Sequence, residues 1–236
     1  MRWFKLGMGY GLCDKKGMRT SADLNSNYQG YHAQLFGKSL GAIFEISKDK
    51  AQDLGKDGIS LSASEGQILQ FFVKAFGCKK FVEIGTLTGY SALWIATAME
   101  EGELFTLEKN ETHAKAAEDV FSAFKTKVKI SLLLGEAEEQ LRHLSPKGPF
   151  DGIFIDGNKS AYVHYLNWAE SHLKSGALIV ADNVFLGGAV WGEVNSRFSK
   201  KQVAVLQEFN ERLANPEKYD SCLIPTSEGL FVARLK

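Results

Sequence analysis

From Gly77 onward the apolar positions fall into two alternating patterns. KKFVEIG, ELFTLEK, VKISLLL, FDGIFID and GALIVADN are short apolar or alternating runs bounded by Gly, Asp or Asn, the signature of buried strands. GYSALWIATAM, ETHAKAAEDVFSAF, GEAEEQLRHL and SAYVHYLNWAESHL lie between and after them, with apolar residues recurring at helical spacing. Strands alternating with helices of this length predict parallel βαβ units. A last helical pattern, KQVAVLQEFNERLA, precedes YDSCLIP, SEG and LFVARL. Two strands around a tight polar turn form a hairpin, so the sheet is predicted to close with an antiparallel strand. The pattern as a whole predicts an α/β fold, a Rossmann-like doubly wound, mostly parallel sheet with an antiparallel C-terminal hairpin strand.

Upstream the pattern is helical. A helix is expected from about Leu35 to Asp53, followed by a break at LGKDG. Ser62-Ala-Ser-Glu65 sets a serine three residues before a glutamate, ahead of Ile68, Leu69, Phe72 and Val73. That is a capping box opening a further helix. Residues 1–30 are rich in Gly, Asn and Ser with little periodicity and read as a flexible arm. The expected organisation is that arm, then one domain over 31–236: an N-terminal helical extension, or cap, over 31–77 and a core over 78–236.

Composition narrows the partners. The 236 residues are 44% hydrophobic, enough for one sizeable core and short for two large ones. Lys plus Arg and Asp plus Glu each total 28, so the net charge gives no drive toward a phosphate backbone or an anionic bilayer. Nucleic acid and membrane are therefore not the expected partners. Cys13, Cys78 and Cys222 are odd in number and far apart, which fits reduced thiols and a cytoplasmic location. No apolar run approaches the roughly 18–20 residues of a membrane span, and the five histidines show no zinc-like spacing.

In sheets of this class ligands sit beyond the carboxyl ends of the strands, where the strand order reverses. Those ends carry Glu83, Glu108, Asp156 and the pair Asp182-Asn183. The first turn, Glu83-Ile-Gly-Thr-Leu-Thr-Gly89, lacks the middle glycine of GxGxxG, so a pyrophosphate is not favoured and a nicotinamide oxidoreductase is the weaker reading. Close approach at Gly85 and Gly89, with a carboxylate within the turn, suits an amine-bearing ligand. Glu108 follows Glu83 by 25 residues, the place of an acid that holds ribose hydroxyls. An amine, a ribose and no phosphate together point to S-adenosylmethionine. Each feature has a structural alternative: a tight strand–helix connection for the turn, a helix start at Glu108, a helix cap at Asp156 and a self-bonded turn at Asp182-Asn183.

VEIGTLTGYS, FDGIFIDGNKSAYVHYL, LIVADNVFLGG and IPTSEGLFVAR, in that order over about Ser62 to Lys236, resemble the cation-dependent, S-adenosylmethionine-dependent O-methyltransferases related to caffeoyl-CoA and catechol O-methyltransferases. The resemblance implies that Glu83, Gly85, Thr86 and Ser91 line the methionine and ribose part of the cofactor site. It implies that Glu108 holds the ribose, Ala137 lies by the adenine and Leu61 closes over the site. Asp156, Asp182 and Asn183 match the family's divalent-metal ligands, and Lys159 matches its proposed general base. Many relatives on the caffeoyl-CoA side read DADK where this chain has Asp156-Gly-Asn-Lys159, so the acceptor pocket differs at Gly157 and Asn158.

The chemistry agrees with that set. Two carboxylates and one amide oxygen suit magnesium, calcium or manganese, and such a cation lowers the pKa of a bound phenol from about 10. Room left on the cation favours a small aromatic acceptor with paired, catechol-like oxygens. Lys159 either takes the proton or steadies the phenolate by charge. Trp168, in a helical stripe, is expected in the core; Phe185 and Trp191 either wall the acceptor pocket or do not. The expectation is a metal-dependent O-methyltransferase, with a homodimer implied by the resemblance. Two alternatives stand beside it: methylation of a modified nucleoside in RNA, for which Lys200-Lys201 would supply basic surface, and a non-catalytic domain that binds S-adenosylmethionine.

Overall fold

The computed structural model describes residues 25–36, 42–56 and 58–236. Most of the expected arm falls outside them, but its last residues are helical: α1 spans Asn25–Phe36. The helix expected over 35–53 is instead the end of α1 and a separate α2, Ala42–Asp53, with residues 37–41 outside the described set. Gly37 and Gly41, poor helix formers, stand in the sequence between them. α3, Ala63–Ala75, opens on the predicted capping box: Ser62 Oγ accepts from the Glu65 N–H at 3.2 Å and Glu65 Oε2 accepts from the Ser62 N–H at 2.9 Å. Its stripe buries Leu69 and Val73 completely, with Ile68 and Phe72 half-buried beside them.

The core then alternates as the period predicts. β1 is Lys80–Ile84, α4 Tyr90–Ala98, β2 Gly102–Glu108, α5 Glu111–Ala123, β3 Val128–Leu134, α6 Ala137–Leu144, β4 Phe150–Ile155, α7 Tyr162–His172 and β5 Leu173–Ala181. α8, Lys200–Leu213, leads to β6, Tyr219–Ile224, and β7, Leu230–Leu235. The sheet runs β3-β2-β1-β4-β5-β7-β6. β1 to β5 are parallel, β7 is antiparallel to β5, and β6 is antiparallel to β7. Two differences from expectation are local. β5 starts at Leu173 rather than Gly176, across a register shift opposite Phe150 and Gly152. α7 starts at Tyr162 rather than Ser160, after a single 3-10 turn at Lys159–Ala161.

Both faces of the sheet are covered, which is why the strands read as nearly unbroken apolar runs. Side chains two apart along a strand share a face. Val82, Ile84, Phe105, Leu107, Ile153 and Ile155 pack with Leu141, Tyr162, Leu166 and Phe209 of the later helices. Phe81, Leu104, Phe154 and Val180 pack with Leu69, Val73, Leu93 and Trp94 of α3 and α4. By the same alternation Glu83 and its register neighbour Thr106 face the second layer.

The chain order reverses between β1 and β4. Just beyond the strands the ladder continues for one more residue. The N–H groups of Gly85, Asp156 and Asp182 donate to Leu107, Ile84 and Ile155 carbonyls at 3.0, 2.9 and 3.0 Å. The strand-end residues are thereby pinned to one rim. Among the described residues no helix is long and apolar enough to cross a membrane.

α2 is fastened to the turn that follows β1. Ser47, fully buried, donates to the Thr88 carbonyl at 2.9 Å, and the Thr88 hydroxyl donates to the Ser47 carbonyl at 2.8 Å. Phe44 packs on Tyr90 and Trp94, and Lys50 pairs with Asp119 of α5. Ser47→Ala leaves the buried Thr88 carbonyl without its donor, and a loss of about 1–3 kcal/mol is expected in chemical denaturation. An unchanged unfolding midpoint would show that α2 does not brace the turn.

Candidate active site

Gly85 has φ 100°, and a Cβ there would lie 2.2 Å from the Asp156 carbonyl oxygen. Gly89 has φ 86°, and its Cβ would meet the Phe121 ring at 2.6 Å. Both glycines are therefore required first by packing, not by ligand approach as the turn alone suggested. Gly85 lets the ends of β1 and β4 pass in backbone contact; Gly89 seats α4 against α5.

Between them Leu87 takes φ 50°, a left-handed conformation that strains a non-glycine residue by about 1–2 kcal/mol. Its N–H donates to Glu108 Oε2 at 2.9 Å. Glu108 Oε1 accepts from the Asn110 N–H at 2.9 Å, and His113 Nδ1 stands 3.7 Å from it. A buried carboxylate at the end of β2 thus shapes the turn after β1 while facing the cavity above it.

Glu83 is fully buried under the same turn. Its Oε2 accepts from the Thr106 hydroxyl, which is itself bonded to the Thr86 hydroxyl, and its Oε1 has no partner. Burial pushes its pKa up to about 8, with the Ser91 and Thr106 hydroxyls pulling the other way and the Asp156 and Glu108 charges adding to the rise.

Two cavities of about 310 and 320 Å³ meet over the rim, sharing Gly85, Glu108, Asp156 and Gly157. The first is lined also by Leu61, Thr86, Ser91, Lys159 and Asn183. The second runs past Glu136, Ala137, Asn158 and Tyr165. All the residues expected at the site therefore gather here, except that Glu83 and Asp182 are buried beneath the wall instead of lining it. Carboxylates at Glu108, Glu136 and Asp156 make the trough a better match for hydroxyl and amine donors than for phosphate. Phe185 and Trp191 do not line either cavity. They pack on each other at 5.0 Å, and the half-exposed Trp191 donates to Glu193 Oε1 at 2.8 Å. Trp168 packs at the core edge against Phe150 and donates to Ser145 Oγ at 3.0 Å.

At one end of the trough the oxygens of two strand ends converge. Lys159 Nζ donates to Asp156 Oδ1 at 2.9 Å, to Asn183 Oδ1 at 2.6 Å and to the Tyr162 hydroxyl at 2.7 Å. Burial works against the Lys159 charge, yet Asp156 and Tyr162 outweigh it and hold the ammonium above its ordinary range. Asn183 reaches this point from φ 56°, a conformation asparagine tolerates. Asp182, beside it, accepts from the Asn183 N–H at 2.7 Å. Burial raises its pKa well above the carboxylate range, and Asp156 and Glu65 add to this against Lys159. The helix-cap alternative for Asp156 is set aside, since Asn158 makes that cap, accepting from the Ser160 N–H at 3.1 Å. The self-bonded turn at Asp182-Asn183 is present, but it leaves Asn183 Oδ1 facing Lys159.

This donor set fits a hard cation. Asp156 and Asn183 oxygens already focus on the Lys159 ammonium, and a second cation would offset the burial and repulsion that raise Asp182. Among the described residues no three His, Cys, Asp or Glu side chains gather as a metal-holding group; the set has two carboxylates and an amide. Sequence reasoning missed Tyr162, although its spacing of three from Lys159 is that of neighbours on one helical face.

Glu83 makes a pH-dependent stability predictable. Between its unfolded value near 4.5 and its folded value of about 8 the folded chain holds the extra proton, so stability falls as pH rises through that window. Glu83→Gln removes this dependence. Its melting temperature relative to wild type is expected to climb from pH 5 to pH 8.5, by the equivalent of about 1–4 kcal/mol. A constant difference across that range would contradict the burial of an ionisable Glu83.

The chain matches the O-methyltransferase family model over residues 40–236. A catechol O-methyltransferase of Niastella koreensis is 34% identical over 197 residues, covering 82% of this chain and 87% of that protein. A caffeoyl-CoA O-methyltransferase of Populus kitakamiensis is 28% identical over 95% of both chains. Among solved structures, an O-methyltransferase of Streptomyces achromogenes in complex with S-adenosylmethionine superposes with a TM-score of 0.81 at 26% identity, covering 93% of this chain and 100% of that one. The mostly parallel sheet closed by an antiparallel pair, the trough at its reversal point and these matches agree: the chain belongs to the O-methyltransferase family of S-adenosylmethionine-dependent enzymes.

Proposed function

We propose that the protein methylates an oxygen of a small catechol-like or otherwise vicinal-hydroxyl aromatic acceptor, with a divalent cation, magnesium before calcium or manganese. The observation that carries this reading is the convergence of Asp156 Oδ1 and Asn183 Oδ1, from two adjacent strand ends, on one cationic centre beside the trough. The catechol and caffeoyl-CoA enzymes among the relatives support the acceptor class.

S-adenosylmethionine, when bound, supplies a methyl group already activated on a sulfonium. In this reading Glu108 holds the ribose hydroxyls, with Gly85, Thr86 and Ser91 lining the methionine side over the buried Glu83. Ala137 lies by the adenine, and Leu61 closes over the site and excludes water. Asp156, Asp182 and Asn183 hold the cation, which when bound lowers the pKa of an acceptor hydroxyl. Lys159, kept charged by Asp156, stands beside that oxygen and steadies the phenolate. The chain's own task is then orientation: fixing an oxygen in line with the methyl and keeping water out.

A screen of phenolic acceptors with labelled cofactor tests this directly. Turnover of a catechol is expected with magnesium and is suppressed by a chelator. Asp156→Ala and Asp182→Ala are each expected to lower the rate by at least about 100-fold. Full activity of either variant, unaffected by chelator, would sink the metal-dependent mechanism. Calorimetry should detect S-adenosylmethionine but not NAD, with about tenfold weaker binding in Glu108→Ala.

A further inference from the structure

The Lys159 ammonium has three N–H donors, and three acceptors meet them: Asp156 Oδ1, Asn183 Oδ1 and the Tyr162 hydroxyl. The reading above gives the first two to a cation. Tyr162 is the partner left over. It is fully buried as the first residue of α7, with its ring against Phe209 at 5.2 Å and Tyr165 at 6.2 Å. Its hydroxyl also lies 3.0 Å from the Asp182 carbonyl and 3.3 Å from the Ile155 carbonyl. A phenol has one hydrogen to give and lone pairs to accept with. It therefore donates to a strand-end carbonyl and accepts from Lys159. Those carbonyls belong to the residues next to Asn183 and Asp156, so the hydroxyl references the lysine to the backbone of both donor strands.

We propose that Tyr162 is a positioning residue: it anchors the Lys159 ammonium through a contact independent of Asp156 and Asn183, and keeps it at the acceptor oxygen when those two side chains serve a cation. This rests on the function proposed above. Without such an anchor a lysine with several rotatable bonds would retreat toward solvent once its carboxylate partner was engaged elsewhere. The plainer role, a hydroxyl that merely satisfies two carbonyls, makes different predictions.

Tyr162→Phe keeps the ring and removes the anchor. kcat for the phenolic acceptor is expected to fall about 10- to 100-fold, while acceptor KM and cofactor affinity stay within about threefold. In a Lys159→Met background the same change is expected to have no further effect, because its action passes through the lysine. Modification of Lys159 by an amine-reactive ester, followed by mass spectrometry, should rise several-fold in Tyr162→Phe against Lys200 and Lys201 of the same protein. An unchanged kcat, an equal loss in the Lys159→Met background, or unchanged labelling overturns the assignment. The labelling result stands without turnover. If wild type methylates no phenol but the labelling difference holds, the proposed reaction fails and the anchor survives. Should Tyr162→Phe not fold, the wild-type lysine ammonium signals in nitrogen-15 NMR decide: Lys159 is expected in slow proton exchange, and fast exchange rejects the anchor.

Discussion

The site depends on one close backbone passage, Gly85 against the Asp156 carbonyl, at the point where the sheet reverses its order. Any side chain at position 85 would push the ends of β1 and β4 apart. Their contact sets the turn that carries Thr86 and Leu87 beside the residue that delivers Asp156. The adjoining ladder bonds at Gly85, Asp156 and Asp182 then hold three strand ends on a common rim. From that rim the trough, the carboxylate at Glu108 and the cluster around Lys159 follow as neighbours.

The rim is electrostatically lopsided. Glu65, Glu83, Glu108, Asp156 and Asp182 sit near one another, most of them buried, with Lys159 as the cation among them. Burial and mutual repulsion raise Glu83 and Asp182, while Asp156 and Tyr162 hold Lys159 charged against its own burial. A fold does not gather like charges in low dielectric for stability, since each buried carboxylate is costly unless paired. Their concentration is intelligible as a place where the amine and hydroxyls of S-adenosylmethionine are to be received.

The strained and capped details serve this arrangement. Leu87, in a left-handed conformation, donates its N–H to Glu108, so the ribose-holding candidate is tied directly to the turn after β1. α2 locks the other side of the turn through Ser47 and Thr88. α2 is thus part of the site's support, while α3 packs Leu69 and Val73 against the sheet.

Much of this was legible in the chain itself. Period-two and helical patterns located the strands and helices of the core, because a sheet buried on both faces leaves long apolar runs that local sequence records. The capping box at Ser62 and Glu65, and acids placed one after another at strand ends, were legible for the same reason: they are local. The early start of β5 was not, since its register and pairing with Phe150 set it. The reasons for Gly85 and Gly89 were hidden too, because their crowding partners, Asp156 and Phe121, are far along the chain. Whether Phe185 and Trp191 wall the pocket was open from the sequence; they pack on each other and line neither cavity. Sequence by itself determined the order of elements and the identity of the rim residues. Tertiary structure decided which of them share the trough, which lie buried beneath it, and that Tyr162 stands behind Lys159, because distances across strands are set by pairing and packing that no local window contains.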